Sequence, residues 1–309
     1  MSDLPANLPS VWIHELTWEE VAQYLARDDI AIVPIGSTEQ HGPAGVLGTD
    51  TYVAIGLAED AAKRAGVLVA PPVWYGESSH HMALPGTIAI RAETLLELTR
   101  DICRSLARHG FHKIILINGH KGSNLPPLIT AAKSLHEAEL PHVLIAVVDP
   151  LHLGRTIARE VKEAPEHHGG ELELSQVWYR FPPHVRPDRF PTQGADLRTA
   201  LSEFGVTDLF GVHGETIEIP WSSYDQAAMA PNGSLSDSSR SAPEKGRRFH
   251  EHMVDNLVRF IAWLREQKGP IGHTEPAAGA VVASPGSDGR RSAAPRRPGT
   301  TRRRASSST

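Results

Sequence analysis

A chain of 309 residues, 40% of them hydrophobic, is long enough for one large α/β domain with a substantial core. No apolar stretch approaches the ~20 residues of a bilayer span, and Met1 to Ser10 lack the features of a secretory signal, so a cytoplasmic protein with no membrane partner is expected. The charge of −5 is uneven: from Lys268 onward eight Lys or Arg face two Asp or Glu, a net of +6, which leaves −11 on residues 1–267 and excludes nucleic-acid binding as the main task of that acidic body.

The first element in chain order is Ile30-Ala-Ile-Val-Pro-Ile35, an apolar run stopped by Gly36 that reads as a strand buried on both faces. Tyr52 to Arg64 reads as a helix, with Val53, Leu57 and Ala61 at helical spacing and Gly66 as its stop. Val67 to Val69 is a short strand cut off by Pro71-Pro72. Ala92 to His109 carries Leu95, Leu98, Ile102 and Leu106 on one stripe and ends at Gly110. Cys103, the single cysteine, lies in that helix; it excludes an internal disulfide and reads as a packing residue rather than a nucleophile. Lys113 to Ile117 is the clearest strand, followed by a helix from Leu128 to Glu139 and a strand from His142 to Val148.

This alternation predicts an open, mostly parallel sheet between helices. Phe181 to Asp225, rich in Pro, Gly and polar residues, is expected to be irregular and to form a rim over the active site. A last amphipathic helix, Glu244 to Gln267, turns Phe249, Met253, Leu257, Phe260 and Leu264 toward the body. Residues 1–267 are thus expected to form one catalytic domain. Residues 268–309, of Ala, Ser, Pro, Gly and Arg without periodicity, are expected to be a disordered tail.

Three polar clusters sit at or just after strands and helix starts, where open α/β sheets collect ligands. Gly36-Ser-Thr-Glu-Gln-His-Gly42 is followed by Leu47-Gly-Thr-Asp-Thr51. Glu39 and His41 are two apart and project to one side of an extended chain, and with Asp50 they form a donor set that Zn²⁺ or Mn²⁺ accepts. Ile117-Asn-Gly-His-Lys-Gly-Ser-Asn124 places His120 in a turn off the best strand, without the Gly-Lys-Ser/Thr order of a phosphate loop. Glu166-His-His-Gly-Gly-Glu-Leu-Glu-Leu-Ser175 supplies His168, Glu171 and Glu173. Each has a plainer reading alone: Asp50 as a helix N-cap, His41 and His120 as turn residues, and one glutamate as a first-turn complement to the helix dipole.

Taken together and in this order, the four blocks (Gly-Ser-Thr-Glu-Gln-His-Gly-Pro, Leu-Gly-Thr-Asp-Thr, Asn-Gly-His and His-Gly-Gly-Glu-Leu-Glu-Leu-Ser) resemble the creatininase (creatinine amidohydrolase) family over roughly residues 11–267. The resemblance implies a three-layer α/β/α fold, a homo-oligomer that is commonly a hexamer, and a centre of two divalent ions, zinc or manganese with iron as an alternative. Carried over by position, Glu39 and His120 bind one ion, His41 the other, Asp50 bridges, and Glu171 is the remaining ligand. His168 and Glu173 are the catalytic candidates, His168 as proton donor to the leaving group. Tyr75-Gly-Glu-Ser-Ser-His-His-Met82 with Leu84-Pro-Gly-Thr87 also looks like the family, with His80 and His81 at the substrate pocket. Trp178 and Trp221 read as core or rim aromatics.

One departure stands out. The Asn-Gly-His turn continues Lys121-Gly-Ser123, without the carboxylate that creatininase proper draws from it, so a substrate other than creatinine is implied. The activity implied is hydrolysis of a C–N bond in a small amide, cyclic amides included, by a metal-bound hydroxide. Two alternatives stand beside it: C–C or ring-opening hydrolysis of a cyclic keto-sugar, and a metal-stabilised binding protein without turnover.

Overall fold

Ile30–Ile35 (β1), Leu68–Val69 (β2), Lys113–Asn118 (β3) and Leu144–Val148 (β4) form one sheet in the order β2-β1-β3-β4, parallel throughout. Ile30 lies opposite Lys113, and Lys113 opposite Leu144. This register puts Ile30, Ile32, Ile115 and Ile117 on one face and Val33, Ile35, Ile114 and Leu116 on the other, all of them buried. Both faces need a cover, hence the continuous apolar runs. The structure, a computed structural model, describes residues 8–267 except 193, 196, 198–203, 212–214 and 218. The tail expected from residue 268 lies outside the described residues.

Helices α1 (Trp18–Leu25), α2 (Thr49–Ala65), α3 (Ala92–His109), α4 (Leu125–Ala138), α5 (Pro150–Leu153), α6 (Arg155–Val161) and α7 (Glu171–Arg180) are followed by a short helix, Ser223–Met229, and a long one, Pro243–Glu266. Val53 and Leu57 of α2, Leu172 and Val177 of α7, and Phe249, Met253 and Leu257 of the long helix cover the first face. Leu95 and Cys103 of α3 with Leu128 and Leu135 of α4 cover the second. The result is the expected three-layer α/β/α arrangement. Burial among these side chains pushes the Cys103 thiol up to about 12, as suits a packing residue.

Some boundaries differ for identifiable reasons. Helix α4 starts at Leu125 because Pro126 and Pro127 fit a first turn, whose N–H groups need no helical acceptor. Leu98, expected on the buried stripe, is 38% exposed. Helix α1 is an addition, held by a capping box in which Thr17 and Glu20 exchange side-chain and backbone hydrogen bonds. Among the described residues, no helix is long and apolar enough to cross a membrane.

A polar cluster joins the helices of the first layer. Arg180 Nε donates to Asp60 Oδ2 at 2.8 Å, and its Nη2 donates to Asp60 Oδ1 at 2.9 Å and Glu59 Oε2 at 2.8 Å. His250 Nε2 lies 2.9 Å from Asp60 Oδ2, and Gln176 Nε2 lies 3.1 Å from His250 Nδ1. Burial raises the Asp60 pKa, but His250 and Arg180 outweigh it and hold the carboxyl below its usual range. A pKa depressed on folding stabilises the protein above the ordinary carboxylate pKa and loses that contribution as pH falls. Asp60→Asn should therefore flatten the acid limb of Tm against pH, below about pH 4. An unchanged acid limb would remove Asp60 from the account.

Candidate metal centre

Glu39 and His41 follow β1, His120 follows β3, and Asp50 stands in the first turn of α2, so the ends of two adjacent strands and one helix start meet at one place. His120 Nδ1 is 3.1 Å from Glu39 Oε2 and 3.1 Å from Asp50 Oδ2. His41 Nε2 is 3.2 Å from Asp50 Oδ1. Asp50 thus lies between the two imidazoles, and all four residues are buried. The α2 N-cap is Gly48, so the plainer reading of Asp50 as the cap does not hold. Gly119 makes the meeting sterically feasible: a Cβ there would fall 2.0 Å from the Asp50 carbonyl oxygen.

The imidazoles are fixed by backbone. His41 Nδ1 lies 3.1 Å from the Glu39 carbonyl, and His120 Nε2 lies 2.8 Å from the Glu77 carbonyl. A carbonyl only accepts, so these nitrogens carry the hydrogens and the opposite nitrogens face the carboxylates. A neutral imidazole would then aim a lone pair at a carboxylate, an arrangement that requires a proton or a cation between them. Burial opposes charge on His41, yet Asp50 and Glu173 overcome it and raise its pKa to about 9; for His120 the Glu39 and Asp50 carboxylates do the same against burial. Burial likewise opposes the Glu39 carboxylate, but His120 and His81 hold it well below its usual range.

Among the described residues, both oxygens of Glu39 and Asp50 Oδ2 find no hydrogen-bond partner of proper geometry, although nitrogens approach them to 3.1 Å. Buried carboxylate oxygens left unpartnered beside oriented imidazoles are the donor chemistry of a divalent cation site. Two triads of ligand atoms share Asp50: Glu39, Asp50 and His120, and His41, Asp50 and Glu173. A third group joins Glu39, His41 and His168.

The expectation for Glu171 is corrected by α7. Its Oε2 accepts from the Glu163 and Ala164 N–H groups at 2.9 Å each, and its Oε1 pairs with Lys245. Residues two apart on a helix point about 200° from one another, so only one of the two glutamates can reach the centre. That residue is Glu173, whose Oε2 lies 3.6 Å from His41 Nε2. Glu173, expected as a catalytic group, therefore stands among the candidate ligands. Its Oε2 also accepts from Gly169 N–H at 2.8 Å and its Oε1 from Lys121 Nζ at 3.1 Å. Glu166, unassigned from sequence, accepts from the Leu172 and Glu173 N–H groups at 2.9 and 3.1 Å and so caps α7.

His168 adjoins this group, with Nδ1 3.6 Å from Glu39 Oε1. Two residues beside it had no assigned contact in the sequence. Gln40 Oε1 accepts from Gly42 N–H, which fixes its amide, and Gln40 Nε2 then faces His81 Nδ1 and His168 Nε2, each at 3.0 Å. The same Nε2 lies 3.0 Å from the Gly233 carbonyl, so its two hydrogens serve three neighbours and at most one imidazole nitrogen accepts from it; His81 Nε2 and His168 Nδ1 approach Glu39 Oε1 at 3.1 and 3.6 Å. Gln226 Nε2, from the helix Ser223–Met229, meets His81 Nδ1 at 2.8 Å.

The centre opens into a cavity of about 690 Å³. His80, His81 and His168 line it near the centre, and Val206, Leu209, Ile217, Ile219, Pro220 and Trp221 form an apolar wall, so part of the stretch expected to be a rim, among the described residues, borders the cavity. Trp178 instead packs against Phe190.

Comparison with known proteins identifies the family of the chain. A family model described as creatinine amidohydrolase matches residues 14–261. The mycofactocin precursor peptide peptidase of Mycolicibacterium smegmatis is 38% identical over 253 residues, 78% of this chain and 87% of its own. The 3-dehydro-scyllo-inosose hydrolase of Thermotoga maritima is 26% identical over 285 residues, 86% and 87% of the two chains. The creatinine amidohydrolase of Pseudomonas putida is 28% identical over 268 residues, 82% and 96%. A crystal structure of creatininase superposes with a TM-score of 0.68 at 24% identity, covering 84% of this chain and all of that one, and so shares the fold; Zn–Zn and Mn forms of that protein superpose equally well. The chain belongs to the creatininase family of hydrolases.

Proposed function

We propose that this protein is a metal-dependent amidohydrolase that cleaves the C–N bond of an amide, cyclic or peptidic, other than creatinine. The observation that carries the reading is the set of unpartnered buried oxygens on Glu39 and Asp50 facing two imidazoles whose tautomers the backbone fixes. Glu39, Asp50 and His120 would hold one divalent cation, and His41, Asp50 and Glu173 a second, with Asp50 common to both. Zinc and manganese suit this donor set, iron less so, and creatininase itself is known in Zn–Zn and Mn forms. When bound, such ions polarise a carbonyl and acidify water.

The chain's own residues supply the rest. Burial, with His81 and His41 nearby, keeps His168 neutral, its pKa well below the usual value. A neutral imidazole on the cavity wall can take up a proton as a base and then, as imidazolium, return it to a leaving nitrogen. His81 Nε2–H orients the Glu39 carboxylate. The apolar wall excludes water from one side and favours a substrate with an apolar portion, in a volume typical of ligand sites and far larger than creatinine needs.

A second reading, ring-opening hydrolysis of a cyclic ketone, draws support from the Thermotoga relative. The wall of Val206, Leu209, Ile217 and Ile219 suits an apolar portion of an amide substrate, while Glu77, Ser79 and Ser123 on the other side of the lining could serve the hydroxyls of a polyol. We further propose a catalytic domain spanning residues 1–267, a small-molecule substrate, a cytoplasmic location and a homo-oligomer, hexameric by family resemblance. Light scattering reads the last of these.

Elemental analysis of the purified protein, followed by an amine-release screen of cyclic amides and short peptides, tests the main proposal. The expected result is about two ions per chain and chelator-sensitive release of amine. Protein that carries no stoichiometric metal and ignores chelators would refute it, and ring opening without amine would transfer the case to the second reading. Creatinine should not be turned over at a hydrolase-like kcat of ~1–10³ s⁻¹. Glu173→Gln should lose metal, whereas Glu171→Gln should keep full metal content and lower Tm, because Lys245 is left without its buried partner.

A further inference from the structure

We infer, building on the metal-centre reading, that the two halves of the centre are unequal and that Lys121 makes them so. In this account Lys121 acts as a built-in monovalent cation that competes for the second half. The Glu39–Asp50–His120 half then fills first and tightly, and the His41–Asp50–Glu173 half fills second and weakly.

The difference lies in what engages the ligand oxygens. In the first half, Glu39 and Asp50 Oδ2 are approached only by imidazole nitrogens, His81 and His120 at 3.1 Å, and by no lysine or arginine among the described residues. A cation arriving there breaks no ion pair with a lysine. In the second half, both oxygens of Glu173 are taken: Oε1 by Lys121 Nζ at 3.1 Å and Oε2 by the Gly169 N–H at 2.8 Å. The Lys121–Glu173 pair is itself buried, with side chains 9% and 4% exposed.

Lys121 sits in the turn after β3, directly following His120, so its backbone is anchored beside the centre. A divalent ion bound by Glu173 would either share that carboxylate with an ammonium a few ångströms away or expel the ammonium from its partner. In a buried site both alternatives are costly, the first through like-charge repulsion and the second by leaving a desolvated charge unpaired. Both costs are smaller in the first half, where only the shared Asp50 feels the Lys121 charge. Lys121 also lines the cavity, and its charge is constant at neutral pH, so the inequality is a fixed property of the sequence rather than a matter of protonation.

The test is a metal titration of the full chain, stripped with chelator and titrated with Mn²⁺ while free Mn²⁺ is followed by electron paramagnetic resonance. The natural chain should show two classes of site, one ion each, with dissociation constants about tenfold or more apart. Lys121→Met keeps the length of the side chain and removes the charge; it should tighten the weak class by about tenfold and leave the strong class within about threefold. Lys121→Arg should retain the split, which guards against a general packing effect, and circular dichroism on each variant confirms folding. Two equal sites in the natural chain, or a gap that Lys121→Met does not narrow, would overturn the inference while leaving the metal-centre reading intact. A natural chain that takes up no Mn²⁺ or Zn²⁺ would overturn both.

Discussion

Asp50→Asn should lower kcat/KM by about 10³-fold or more, some 4 kcal/mol of transition-state stabilisation, with little change in Tm. Asp50 is the one residue common to both ligand triads, facing His41 Nε2 through Oδ1 and His120 Nδ1 through Oδ2. Asparagine has the same shape but only one acceptor oxygen, and its NH₂ cannot ligate a cation. It also removes one of the three buried carboxylate charges that draw cations into the centre. Asparagine fills the same space in the first turn of α2 and leaves the packing of the fold unchanged. Kinetics on the best substrate from the screen, paired with metal analysis and calorimetry, reads the three effects separately. A variant within about tenfold of the natural rate would mean that Asp50 is not in the catalytic centre.

The second large effect is steric. Gly119→Ala introduces a Cβ 2.0 Å from the Asp50 carbonyl oxygen and 2.9 Å from its carbonyl carbon, with Ala54 Cβ at 3.2 Å. The obstructing atoms are backbone of α2, so no side-chain rotation relieves the overlap, and β3 and α2 must separate. Overpacking of this kind costs about 1–3 kcal/mol, or a Tm fall of about 3–10 °C for a domain of this size. The same displacement moves His120 away from Asp50, so metal affinity should fall together with stability. A variant that melts within about 1 °C of the natural protein and keeps its metal would show that the contact relaxes at no cost.

The sheet and its cover were legible because strands buried on both faces must be continuously apolar, and β1 and β3 are. Helix α3 was legible to the residue, since eighteen residues give the stripe five turns in which to declare itself and Gly110 ends it in the left-handed conformation. Helix α1 spans eight residues, too few for a period to stand out, although Thr17 and Glu20 carry a capping signature that marks its start. The short helix Ser223–Met229, in a stretch read as irregular, begins with the same device, Ser222 with Asp225.

At the site, Glu39, His41, Asp50 and His120 were legible as a group because each lies where a strand ends or a helix begins. The choice between Glu171 and Glu173 was not, because it depends on the rotation of α7 about its axis, which packing against α2 and the long helix sets. The contacts of His81 with Glu39, and of Lys121 with Glu173, join residues 42 and 52 positions apart, and no local pattern announces them.

Three carboxylates gathered in a dry interior would ordinarily oppose collapse of the newly made chain until cations arrived to offset them. Lys121 supplies a permanent positive charge in their midst, covalently part of the polypeptide and present from synthesis onward. On the proposed reading, folding would not have to wait for metal, unlike small zinc modules that remain unfolded without their ion. A chain of this kind can reach its native state under metal starvation and wait there, so the supply of metal governs how many molecules are active rather than how many survive.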